Sequence, residues 1–73
     1  MQVTLVVGVE GKRLTLEVDP SDDVDLVKEA VRDKHGVEVD RQRLILGGNQ
    51  LDGGRTWSDY NIKGNVSVHV VIK

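Results

Sequence analysis

The sequence predicts an α+β domain in which one helix packs against a sheet of about five strands. Apolar residues alternate near both ends of the chain, a helical apolar spacing occupies the stretch between Asp23 and Gly36, and glycine-rich or Asp/Ser-rich turns separate the runs. Seventy-three residues suffice for one domain, and a chain this short buries only about 60% of the surface its unfolded form exposes. With no cysteine there is neither a disulfide nor a thiolate zinc site. Stability must therefore come from packing and regular hydrogen bonding.

From Met1 to Val7 the apolar residues Met1, Val3, Leu5 and Val7 alternate with Gln2 and Thr4, the period of a half-buried strand, and Val6 breaks the pattern. Gly8-Val9-Glu10-Gly11 is a glycine-bracketed reversal, after which Leu14, Leu16 and Val18 share one face and Arg13, Thr15 and Glu17 the other, so the first two strands form a hairpin. Asp19 to Asp23 is turn-rich, and Asp23 is the expected helix N-cap because its carboxylate can accept an unpartnered amide of the first turn. Val24, Val27 and Val31 then fall at i, i+3 and i+7 with Ala30 beside them. Arg32, Lys34 and His35 supply last-turn cations, His35 is read as a helix-end cation, and Gly36 suits a left-handed C-terminal cap, so the helix should end near His35. The connector Val37 to Asp40 leads to a third strand over Arg41 to Leu46, a turn at Gly47-Gly48 and a short segment about Gln50-Leu51. Asp52 to Ile62 reads mostly as loop, with Trp57 partly buried. Lys63-Gly64-Asn65 turns the chain into a last strand from Val66 to Ile72. The expected inward set is Val3, Leu5, Leu14, Leu16, Val18, Val24, Val27, Val31, Leu44, Leu51, Trp57, Ile62, Val68 and Val70.

The same alternation leaves apolar residues outside. If Val68 and Val70 point inward, His69 and Val71 point outward, and if Leu44 points inward, Ile45 and Arg43 point outward. Ile45 and Val71 are then exposed, and if their strands are neighbours they form an apolar cluster rimmed by Arg43, Gln50 and Lys73, the pattern of a protein-binding surface. Ten basic and twelve acidic residues, interspersed, argue against a nucleic-acid or anionic-membrane partner. No segment reaches the roughly 20 apolar residues of a membrane-spanning helix, and no leader pattern stands at the N-terminus, which together predict a cytoplasmic or nuclear protein. His35 and His69 lack metal-ligand spacing, the carboxylates Asp19, Asp22, Asp23 and Asp25 lack the rest of a calcium loop, and neither glycine pair is followed by the Lys-Ser/Thr of a phosphate loop. No nucleophile stands with a base. The expectation is no catalytic residue, no metal and no cofactor.

Met1-Gln2, Leu16-Glu17-Val18, Pro20-Ser21-Asp22, Asp33-Lys34 with Gly36, Gln42-Arg43-Leu44-Ile45, Gly54-Arg55-Thr56 and Ser58-Asp59-Tyr60-Asn61-Ile62 closely resemble the ubiquitin family, over nearly the whole chain. The resemblance implies a β-grasp fold: a mixed sheet of about five strands with the first and last parallel at its centre, and the helix packed across it, in one ubiquitin-like domain spanning 1–73. It also implies a partner-binding patch at Ile45, His69 and Val71, with Arg43, Gly48 and Gln50 around it. The first hairpin is one residue longer than the family's turn, and Val9 is assigned to complete the patch. Tyr60, as in the family, should anchor its loop by a hydroxyl bond to backbone.

Departures from the family bear on function. Conjugation in the family needs a flexible tail ending in two glycines, whereas this chain stops at Ile72-Lys73. Asn49 and Gly64 stand where the most used chain-building lysines are expected, although Lys12, Lys28 and Lys34 match others; Glu38-Val39 replaces two prolines and Trp57 a leucine. Three readings follow. The first is a monomeric interaction module, recognised non-covalently by ubiquitin-binding proteins or proteasome receptors. The second is a modifier or polyubiquitin-like unit whose Gly-Gly tail is missing from this chain. The third is a structural or engineered scaffold that uses only the fold.

Overall fold

The computed structural model of the chain describes Met1–Lys73. Strands β1 (Gln2–Val7) and β2 (Lys12–Glu17) form the first hairpin, helix α1 covers Leu26–His35, and β3 (Gln42–Leu46), β4 (Asn49–Leu51) and β5 (Val66–Ile72) follow. Short 3-10 turns occupy Val39–Arg41 and Ser58–Tyr60. The five strands make one mixed sheet in the order β2-β1-β5-β3-β4, with β1 and β5 parallel and the other neighbours antiparallel. This is the β-grasp arrangement. It makes β5 the neighbour of β3, which the patch requires.

Two turns fix the registers. Gly8 and Gly11 adopt φ of +67° and +69°, closing the first hairpin through a bond from the Gly11 amide to the Gly8 carbonyl at 3.2 Å. Gly47 and Gly48, also at positive φ, form the two-residue connection between β3 and β4, and two successive left-handed residues match the right-handed twist of a hairpin.

One cluster of twelve buried side chains forms the core: Val3, Leu5, Val7, Leu44, Leu51, Val68 and Val70 from the sheet, Val27 and Val31 from α1, Val24 just before it, and Trp57 and Ile62 from the long loop. Leu14, Leu16 and Val18, expected inside, are only partly buried, because β2 is an edge strand covered from one side. Val7, outside the expected inward set, is buried because β1 is flanked by β2 and β5. Trp57 is fully rather than partly buried.

The helix begins later than the sequence suggests. Asp25 is its N-cap and makes no side-chain capping bond. Asp23 instead stands two residues ahead and uses its carboxylate twice, accepting the Asp25 amide at 2.8 Å and the Gly54 amide at 3.1 Å, so it ties the helix entry to the long loop. At the other end Gly36 takes the expected left-handed cap, its amide bonded to the Arg32 carbonyl. His35 stands in the last turn with Arg32 and Lys34, as expected, and is half-buried there. Arg41 closes the first 3-10 turn, so β3 starts one residue later than expected. Gln42 is buried and polar, and its side-chain amide donates to the carbonyls of Lys28 and Val37 at 2.9 and 3.0 Å, joining sheet to helix and connector. No helix is long and apolar enough to cross a membrane.

Candidate functional site

Strand alternation places Arg43 and Ile45 of β3 and His69 and Val71 of β5 on the sheet face opposite the core, and the pairing aligns them: Ile45 lies opposite His69 and Arg43 opposite Val71. On its other side Ile45 faces Gln50 of β4. Gly48 follows at the tip of the β3–β4 turn and is exposed. Neighbouring strands are about 4.8 Å apart, so Ile45, His69 and Gln50 are in direct lateral reach.

Exposure differs within the group. His69, Arg43 and Gln50 are exposed, and Val71 retains 47% of its surface. Ile45, expected to be fully outside, is half-buried, since its neighbours on β5 and β4 shield its flanks. Val9 projects from the hairpin tip into solvent. It nevertheless lines a shallow groove of about 390 Å3 together with Val6, Gly8, His69, Val70, Val71 and Ile72. The structure thus brings Val9, His69 and Val71 to one groove and Ile45, Arg43, Gln50 and Gly48 to the sheet beside it. Val6 also lines it, and its break in the β1 alternation is the sequence signal that marks it.

A second depression of about 250 Å3 lies around the end of the sheet, lined by Val7, Gly8, Val9, Glu10, Lys12, His35, Val37 and Ile72. Nearby, Arg41 holds the last residue: its Nε and Nη2 donate to the Lys73 carbonyl at 3.0 and 2.8 Å, and the Lys73 amide donates to the Arg41 carbonyl at 2.8 Å.

The loop acids serve the scaffold. The Thr56 amide, and then the Thr56 hydroxyl, hold the Asp59 carboxyl below its ordinary value, and the amide and hydroxyl of Ser21 do the same for Asp19. Tyr60 anchors the loop as expected, its hydroxyl oxygen accepting the Asp52 amide at 2.7 Å. No group of three or more His, Cys, Asp or Glu side chains is placed to hold a metal ion.

The family model of the ubiquitin family matches residues 3–73. The chain belongs to the ubiquitin family. Among ubiquitin-like relatives it is 37% identical over 62 residues to the ubiquitin-like protein NEDD8 of Dictyostelium discoideum, covering 85% of this chain and 80% of that protein. It is 36% identical, with the same coverage, to the ubiquitin-like protein 1 of Schizosaccharomyces pombe. The human ubiquitin-like protein 4A is 36% identical over all 73 residues, which span 46% of its length. Ubiquitin-like domains usually interact with other proteins.

Proposed function

We propose that this ubiquitin-like chain is an interaction module, recognised non-covalently by ubiquitin-binding proteins or proteasome receptors through the face centred on Ile45, His69 and Val71. The observation that carries the reading is the β3–β5 register, which sets Ile45 directly opposite His69 and Val71 beside Arg43 on the face away from the core. Neither Ile45 nor Val71 packs against the core cluster, so their apolar character has no evident stabilising role there. Burying one aliphatic side chain contributes roughly 1.5 to 3 kcal/mol. A patch this small implies an interface under about 1,200 Å2 and transient binding, with Kd on the order of 10 to 500 μM.

The test is an NMR titration of the 15N-labelled chain with a helical ubiquitin-binding motif. Shifts should cluster at Ile45, His69 and Val71, and Ile45→Ala should weaken binding while the domain stays folded. Shifts that cluster elsewhere, or an unchanged affinity in Ile45→Ala, would make this face ordinary surface.

A further inference from the structure

We propose that Val6 and Arg13 extend the binding face across the sheet and select partners that present an apolar helix stripe ending in carboxylates; the inference rests on the interaction reading above. The registers of the four strand pairings combine into one uninterrupted row, Arg13 of β2, Val6 of β1, His69 of β5, Ile45 of β3 and Gln50 of β4. The outward residues of β1 are otherwise polar, Gln2 and Thr4. Val6 is half-buried yet, like Ile45, packs on no part of the core cluster. It lines the groove with Val9, His69 and Val71. Two aliphatic side chains therefore flank His69 symmetrically, two strand spacings or about 10 Å apart.

That separation matches residues i and i+7 of a helix, whose rise is about 10.5 Å, and the whole row, about 19 Å long, accommodates roughly 13 helical residues. Charge decides the chemistry of its end. Arg13 and Arg43 are exposed on this face and take part in none of the four ion pairs of the chain. Glu17, on the same face, lies four residues along β2 from Arg13 and is engaged by the Met1 amine at 3.5 Å, and the Asp52 carboxylate stands at the opposite end of the row, where it accepts the Gln50 side-chain amide at 3.4 Å. A partner helix over the row thus ends on an unpaired guanidinium, which favours a terminal carboxylate cluster.

The probes are two synthetic helical peptides with identical leucine stripes, one ending in three glutamates and one in three lysines, titrated into the chain by NMR. The wild type should prefer the glutamate peptide about threefold, an exposed-pair effect that shrinks in high salt. Arg13→Glu should reverse the preference. Val6→Thr, which keeps the branched shape, should weaken both peptides about fourfold, the equivalent of one buried methyl group. Thermal unfolding of each variant verifies the fold, and Ile45→Ala is the control. Lost affinity in Ile45→Ala with unchanged selectivity in Arg13→Glu and unchanged affinity in Val6→Thr overturns the selection alone. Unchanged affinity in Ile45→Ala overturns the face as a whole, and with it the selection.

Discussion

Leu44 and Ile45 are consecutive residues of one strand, and the same truncation to alanine should have opposite consequences at the two. Leu44 is fully buried, opposite Val70 on β5 and Leu51 on β4, both of which belong to the core. Leu44→Ala removes apolar contacts and leaves a cavity among rigid neighbours, a loss of roughly 2 to 5 kcal/mol. At 0.05–0.15 kcal/mol per residue a 73-residue domain has only about 4 to 11 kcal/mol to lose. With about 4 to 8 °C of Tm per kcal/mol, the melting temperature should fall by roughly 8 to 40 °C. Ile45 is half-buried on the other face, so Ile45→Ala should cost about 1 kcal/mol or less of stability while weakening partner binding. Urea unfolding at constant m-value, with calorimetric Tm, measures the first quantity and NMR titration the second. If Ile45→Ala destabilises as much as Leu44→Ala, or if Leu44→Ala costs under 1 kcal/mol, the assignment of the two faces is wrong.

Three further outcomes follow from individual contacts. Asp59 is acidified in the folded chain by the Thr56 amide and hydroxyl, so the folded state binds its proton less tightly than the unfolded state, whose ordinary value is 3.8. The stabilisation is present above about pH 4 and fades as pH falls further; Asp59→Asn should flatten the acid limb of the stability profile, and parallel profiles would count against it. Tyr60→Phe deprives the Asp52 amide of its acceptor and should cost about 0.5–1.5 kcal/mol in urea unfolding, with faster hydrogen exchange at Asp52; unaltered exchange would show that the bond does not persist in solution. Arg41→Ala releases the Lys73 carbonyl and should speed exchange of the Lys73 amide with little change in Tm, whereas unchanged exchange would mean the backbone bond holds the end without the guanidinium.

The candidate face was legible in part. Alternation along β5 and β3 put His69, Val71, Arg43 and Ile45 outward, and the glycine pairs located both tight turns. The contribution of Val6 was visible only as an irregularity, because a valine that breaks alternation reads equally well as noise until His69 is found opposite it. Buried Gln42 gave no signal, since its partners are backbone carbonyls of Lys28 and Val37, which no side-chain pattern encodes.

Local order is what this sequence determines by itself. Period-two alternation specifies which side of a strand each residue faces, the valine spacing specifies a helix, and glycine and asparagine specify where the chain can reverse, because all three are set by backbone geometry over a few residues. The order of the strands and the depth of each side chain were decided by the tertiary structure. Leu14, Leu16 and Val18 have the same inward pattern as Val68 and Val70, yet the former are half-buried and the latter buried. The residues around Asp23 likewise read as a helix start, but the carboxylate is drawn to the Gly54 amide 31 residues away. Burial depends on how many neighbours cover a residue, and neighbours brought together by β5 crossing between β1 and β3 are remote in the chain. That is why the row from Arg13 to Gln50 exists only once the sheet has formed.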